Sequence, residues 1–114
     1  MADDLTAKLE RLEAFEDRFD LRLSALFAHI DESIKVVIVN GELHPKDGLQ
    51  LKNHVSIFVD AYDAEGRLVG GTARHVKADS FYGYYSFTIR FETPTTKIAR
   101  IRIFPQPYKP KPWE

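Results

Sequence analysis

The chain has 114 residues, 44% of them hydrophobic, which is enough for one domain with one core. It contains no cysteine, which excludes disulfides, thiolate metal sites and thiol nucleophiles. The formal net charge of -1 is the sum of an acidic segment, with nine acids and four bases in residues 1–32, and a basic remainder. The cations of the remainder are spread singly along the chain, and this pattern argues against nucleic acid as a partner.

The start of the chain, Met1–Asp4, is acidic and lacks the basic and apolar regions of a signal peptide. No apolar run approaches the ~18 residues that are needed to cross a bilayer. We therefore expect a cytoplasmic location without membrane insertion.

Residues 1–32 carry the pattern of a long amphipathic helix. No Gly or Pro interrupts residues 2–40, good helix formers dominate the first thirty positions, and Asp3 or Asp4 provides an N-terminal cap. Apolar side chains recur at alternating spacings of four and three residues, and only Glu16 breaks the series. The seven apolar seam residues are Leu5, Leu9, Leu12, Phe19, Leu23, Leu26 and Ile30.

This apolar stripe is compatible with two arrangements. The helix packs across its own domain, or its seam joins two or three copies of the chain as a coiled coil. A helix of about 40 Å is too long for a small sandwich to cover, so we expect self-association through the seven seam residues. Glu16 then requires a basic partner, for which Arg11, Arg18 and Arg22 are the candidates.

After residue 32 the hydrophobic pattern changes to that of strands, with a hairpin turn at Asp63–Gly66. The predicted strands cover residues 34–39, 55–62, 67–76, 85–92 and 97–104. In the last two strands, the residues predicted to face the core are Tyr85, Phe87, Ile89, Phe91, Ala99, Ile101 and Ile103. Because no helix lies between these strands, residues 33–104 predict an antiparallel β-sandwich.

Two segments of this region carry a family resemblance. Val39-Asn40-Gly41-Glu42-Leu43 is a Gly-centred strand, and Tyr62–Gly66 is a Tyr-Asp-x-x-Gly hairpin within residues 58–70. Together they resemble the FxLYD-type, immunoglobulin-like bacterial sandwich domains over residues 34–104. Asp60-Ala61 interrupts the expected Phe-to-Tyr-Asp spacing, and Phe81–Tyr85 replaces an expected Gly-Glu turn. The resemblance implies an adhesive or accessory role outside the cytoplasm and carries over no catalytic residue.

The predicted fold is therefore mainly β: an antiparallel immunoglobulin-like sandwich at residues 33–104, preceded by the helix of residues 1–32. The segment 105–114 holds four of the six prolines and is expected to be a polyproline-like strap. We expect Tyr108 and Trp113 to anchor it to its own domain or to a neighbouring chain. Pro107-x-x-Pro110 also matches a PxxP ligand core, although its flanking base is not placed as SH3 ligands require.

No catalytic, cofactor or metal site is predicted. The histidines lack metal-ligand spacing, and no paired carboxylate accompanies them; they are His29, His44, His54 and His75. The acidic residues between 60 and 65 are better explained by the needs of a hairpin turn than by a calcium loop.

Phe81–Tyr85 is the strongest binding candidate. If Tyr85 faces the core, Tyr82 and Tyr84 point away from it, as exposed tyrosines at binding surfaces do. The alternative is that these two tyrosines pack under the N-terminal helix or in a subunit interface. The residues predicted to bind a partner or ligand are Phe58, Tyr62, Tyr82, Tyr84 and Trp113.

We therefore expect a non-catalytic, homo-oligomeric module that binds another protein or serves as a structural element, without a cofactor. The second hypothesis is a monomeric sandwich that binds a carbohydrate or small ligand through Tyr82 and Tyr84. The third is an enzyme with an unrecognised site.

Overall fold

The computed structural model describes residues 2–112. The described chain consists of eight β-strands, one short α-helix and two 3-10 turns. The strands are β1 (Ala2–Asp4), β2 (Leu9–Arg11), β3 (Leu21–Asp31), β4 (Val36–Pro45), β5 (Val55–Tyr62), β6 (Leu68–Val76), β7 (Tyr85–Glu92) and β8 (Arg100–Pro107). The helix α1 is Glu13–Arg18, and the 3-10 turns are Thr6–Lys8 and Ala78–Ser80.

The strands form two four-stranded sheets, one in the order β1-β3-β4-β7 and the other in the order β2-β8-β5-β6. The inward side chains of both sheets join in a single buried core. The expectation of a mainly β protein is thus confirmed. All strand pairs are antiparallel except β2 and β8, which run parallel, so the second sheet is mixed.

The predicted N-terminal helix of residues 1–32 is wrong. This segment forms β1, β2, β3 and the six-residue helix α1, and its strands pair within both sheets. The seven residues assigned to a coiled-coil seam are instead buried or half-buried in the same chain; they are Leu5, Leu9, Leu12, Phe19, Leu23, Leu26 and Ile30. The helix that was expected to join copies of the chain does not exist, and self-association stays a prediction.

A β-bulge in β3 shapes the first sheet. The pairing of β3 with β4 shifts between Ser24 and Phe27, and Ala25 has a φ of 52°. The bulge directs the side chain of Leu26 over Gly41 of β4. A Cβ atom at Gly41 would lie 2.7 Å from Leu26 Cδ2 and 2.6 Å from Phe87 Cζ. A side chain at this position would force Leu26 or Phe87 to shift, because Gly41 faces the core.

Side chains protect the outer edge of β3 where no strand pairs with it. At Leu23, the backbone N–H donates to Glu16 Oε1 at 2.9 Å, and the carbonyl accepts from Arg11 Nη2. Arg11 also donates to Glu16, whose residue exposure is 2%. Arg11 is therefore the partner of Glu16, and the pair occupies the place of a neighbouring strand.

Thr6 has the same role farther along β3. Its hydroxyl accepts from the backbone N–H of Ala28 at 3.1 Å, and the carbonyl of Ala28 accepts from the backbone N–H of Leu5 at 2.7 Å. Because the backbone groups of Ala28 are buried, they need such partners. The acidic N-terminal segment thus closes the edge of the sandwich.

The strand β8 extends through Pro107, three residues into the segment that was predicted to be a strap. The carbonyl of Ile103 accepts from Leu12, so the odd-numbered residues of β8 direct their backbone groups toward β2. Because β2 pairs only as far as Ile103, Pro105 and Pro107 need no backbone donor there.

In residues 2–112 no helix combines the length and apolarity that crossing a bilayer requires.

Candidate functional site

An aromatic groove of about 460 Å³ lies at the end of the sandwich where β6 ends and β7 begins. We call it the tyrosine groove. Its lining comes from both sheets and from the segment that joins them, and consists of residues 75–77, 80–82, 84 and 85. Its volume falls within the range of small-ligand sites.

A tight turn at Gly83 presents the two outer tyrosines. The backbone N–H of Tyr84 donates to the carbonyl of Tyr82 at 3.0 Å, and Gly83 has a φ of 80°, which favours glycine. The N–H of Gly83 donates to the carbonyl of Leu49 at 2.8 Å, which ties the turn to the neighbouring loop. Tyr82 is 71% exposed and Tyr84 is 57% exposed. The expectation that both point away from the core is confirmed.

Packing holds this turn in place on either side. Phe81 is buried in the core and anchors the start of the turn. The ring of Tyr84 stacks on His44, with 5.5 Å between the ring centroids and 11° between the planes. His44 Nε2 lies 3.0 Å from a carboxylate oxygen of Glu42. The tyrosines are therefore presented by an ordered framework, which lowers the entropy lost when a ligand binds.

His75 forms one wall of the tyrosine groove and is fixed on two sides. Its Nδ1 lies 2.7 Å from the hydroxyl oxygen of Ser56, its cross-strand partner on β5. Its ring stacks on Tyr108, with 4.1 Å between the centroids and 4° between the planes. Tyr108 also donates its backbone N–H to the carbonyl of His54. Tyr108 thus contacts its own domain, one of the two arrangements left open for the tail, whereas Trp113 lies outside the described residues.

Two cations lie in or beside the tyrosine groove. Lys77 lines the tyrosine groove, and in residues 2–112 its ammonium group has no carboxylate within ion-pair distance. Arg74 donates from Nη1 to the hydroxyl oxygen of Tyr85 at 3.0 Å and from Nη2 to the carbonyl of Thr88 at 2.8 Å. Arg74 therefore stands behind Tyr85 and bridges β6 to β7.

Phe58 and Tyr62, also predicted as binding residues, do not line the tyrosine groove. Both are half-buried on β5, on the outer face of the second sheet. Phe58 stacks on Phe104 at 5.7 Å, and the guanidinium groups of Arg100 and Arg102 lie over the ring of Tyr62. These contacts give both residues a packing role within the sheet.

The histidines do not converge on one site. His29 lies against Phe27 on β3, and Nδ1 of His54 accepts from the backbone N–H of Ala78. No group of three or more metal-ligating side chains occurs in the part of the chain that the structure describes. Ser56 is only 3% exposed, and its contact with His75 spans paired strands, so we assign this pair a packing role.

The acidic residues near Gly66 form the predicted hairpin. Asp63 Oδ1 accepts from the backbone N–H groups of Glu65 and Arg67, and the Arg67 N–H holds the pKa of the Asp63 carboxyl below its usual value. Asp60 lies outside this turn on the outer face of β5. Burial raises the pKa of the Asp60 carboxyl, although the charge of Arg102 opposes this shift.

Sequence reasoning missed the polar half of the tyrosine groove. His75 and Lys77 sit around the end of β6, and Ser80 belongs to the 3-10 turn that follows it. None of them forms a sequence motif with the tyrosines. The position of His75, for example, depends on the pairing of β6 with β5, which brings its ring against that of Tyr108. The single available signal was the proximity of Lys77 to Phe81–Tyr85 along the chain.

We compared the chain with protein-family models, with curated proteins and with solved structures, and none of the three comparisons yielded a match.

Proposed function

We propose that this protein is a non-catalytic binding module that holds a carbohydrate in the tyrosine groove. Tyr82 and Tyr84 support this proposal, because both are exposed, are held by the turn at Gly83 and line a groove of about 460 Å³. Large exposed aromatic side chains are uncommon outside interaction sites when they are fixed and adjacent. Their faces suit the apolar face of a sugar ring, and their hydroxyl groups suit its hydroxyls.

The polar lining supports a ligand with many hydrogen-bonding groups. Lys77 and the tyrosine hydroxyls supply donors around an aromatic surface, and the hydroxyl oxygen of Ser80, whose proton goes to Asp79, supplies an acceptor. A few polar groups among apolar rings is the composition of small-ligand sites. A carbohydrate satisfies both kinds of surface at once, whereas a purely apolar ligand would leave the polar groups without partners.

The test is binding of the full chain to an array of neutral and acidic oligosaccharides, followed by calorimetric titration of the best hit. We expect Tyr82→Ala and Tyr84→Ala each to weaken binding by about tenfold, the loss that follows when one aromatic contact of roughly 1.4 kcal/mol is removed. The matched control is Phe27→Ala, which removes an aromatic side chain that is 44% exposed on β3.

Phe27→Ala should bind as the wild type does, and all three variants should keep the wild-type circular dichroism spectrum. If no oligosaccharide on the array binds, or if binding survives replacement of both tyrosines together, the proposal is wrong. A sedimentation measurement on the same samples also gives the oligomeric mass, which tests the separate prediction of self-association.

A further inference from the structure

We infer that the ligand of the tyrosine groove is an acidic sugar, one that carries a carboxylate or sulfate group on its ring. This inference rests on the proposed function and specifies its ligand. It comes from the charge and the donor pattern of the lining. Lys77 is its one formally charged residue, and no Asp or Glu belongs to it. The nearest acidic residue along the chain, Asp79, is exposed and accepts a hydrogen bond from Ser80 at 3.4 Å.

Lys77 differs from two other lysines in having no acidic partner among residues 2–112. Lys46 pairs with Asp17, and Lys52 pairs with Asp20 at 2.9 Å. Lys77 is half-buried, yet no carboxylate pairs with it within residues 2–112. The ammonium group is accessible to a ligand, since it is not among the buried polar atoms that lack a partner in residues 2–112. An anionic group in the groove would supply that partner.

Arg74 donates a hydrogen bond to Tyr85, one of the residues that line the groove. The hydroxyl oxygen of Tyr85 accepts from Arg74, so its own proton is free to donate to a ligand. The second bond of Arg74, to the carbonyl of Thr88, fixes the guanidinium group in that position. Lys77 and Tyr85 therefore present an ammonium and a polarised hydroxyl, and donors of this kind form their strongest hydrogen bonds with anions.

A sugar fits these observations better than a nucleic acid. Nucleic acids require a stripe of cations along the phosphate backbone. The tyrosine groove offers one ammonium group, and the chain as a whole carries a net charge of -1. A sugar ring that carries one or two acidic groups matches the single positive charge of Lys77 in the groove.

The experiment compares three sets of probes with the wild-type chain: neutral oligosaccharides, the same backbones bearing uronate or sulfate groups, and single-stranded oligonucleotides. Calorimetry then measures the best acidic oligosaccharide against its neutral form, methyl-esterified or desulfated. We expect the acidic form to bind about tenfold more tightly at low salt, the ratio that one charged hydrogen bond provides. High salt should reduce that ratio.

Lys77→Gln should remove most of the preference, so that the acidic and neutral forms bind with similar affinity, while Lys77→Arg should keep the preference. The matched control is Lys97→Gln, an exposed lysine between β7 and β8 at the opposite end of the sandwich. A purely structural role of Lys77 would weaken both forms equally and would contradict the inference.

The outcomes separate the two proposals. Equal or stronger binding of neutral sugars overturns the inference and leaves the proposed function standing. Tighter binding of oligonucleotides, or no binding of any sugar, overturns both. A preference for uronate over sulfate, or the reverse, supports the inference and identifies the acidic group.

Discussion

The carboxylate of Glu16 accepts a hydrogen bond of 2.9 Å from the backbone N–H of Leu23, seven positions away, on the edge of β3 opposite to β4, where no described strand pairs. Arg11 completes the arrangement by bonding both Glu16 and the carbonyl of Leu23. The Glu16 side chain raises the pKa of the Arg11 guanidinium further above its usual value. One ion pair thus satisfies a backbone edge that would otherwise be open.

Glu16→Ala should lower the free energy of unfolding by about 2 kcal/mol, because it leaves the Leu23 N–H and Arg11 without their acceptor. Urea denaturation monitored by circular dichroism measures the change. The control is Glu13→Ala, an exposed position on the same helix. Equal losses in the two variants would show that helix propensity, and not the edge contact, is responsible.

Gly41→Ala should destabilise the fold by about 2 kcal/mol, because the added methyl group collides with Leu26 and Phe87 in the core. Combining it with Phe87→Leu removes one of the two colliding side chains. The double variant should therefore lose less stability than the sum of the single variants. Strict additivity in urea denaturation would contradict the crowding at this glycine.

The β3 bulge explains why a helix was predicted where strands form. In β3 the buried side chains are Leu21 and Leu23 before the bulge, and Ala28 and Ile30 after it. The bulge inserts Leu26 between these two alternating pairs, so the apolar spacing imitates the three-and-four spacing of a helix. The high helix propensity of the first thirty residues also favoured a helix, but pairing with the neighbouring strands outweighs that propensity in the folded chain.

The later strands were predictable because their alternation is uninterrupted. Three residues of β7 face the core of the domain as expected, namely Phe87, Ile89 and Phe91, and so do Ile101 and Ile103 of β8. Ala99 was expected to face inward but is exposed, because β8 begins only at Arg100. The outward tyrosines followed from the same alternation. Lys77 and His75 did not, because only the assembled sheets bring them to the groove.

Asp63→Asn should lower the free energy of unfolding at neutral pH and make that free energy less sensitive to a fall in pH. The Arg67 backbone N–H lowers the pKa of Asp63 in the folded state, so its stabilising effect is present above the unfolded value of about 3.9. That effect is lost as the pH falls through the lower, folded value. Urea denaturation at a series of pH values should therefore show the variant and wild type converging in acid.

Asp60→Asn should have the opposite effect. Burial raises the pKa of Asp60 in the folded state, so ionisation of this group costs stability as the pH rises through the interval above about 3.9. The variant should therefore be more stable than wild type at neutral pH and equal to it in acid. The same denaturation series tests this, and a loss of stability at neutral pH would show that the attraction of Arg102 outweighs the burial.

Tyr108→Ala should lower the free energy of unfolding by about 1 kcal/mol, because it removes the ring that covers His75. Tyr82→Ala is the matched control: its side chain is largely exposed, and its loss should leave stability unchanged. Thermal unfolding distinguishes the two. A neutral Tyr108 variant would mean that the stacked pair contributes nothing to folding.

The parallel pairing of β2 with β8 has a consequence for how the protein is made. Leu9–Arg11 lies beside Ile101–Ile103, so Glu10 meets Arg102 across 92 positions of the sequence. While the ribosome is still translating the hairpins, β2 has no strand to join. Residues 9–11 have no strand to pair with until β8 has been synthesised, and a chain stalled before Ile101 exposes the buried face of the sheet that β8 would complete.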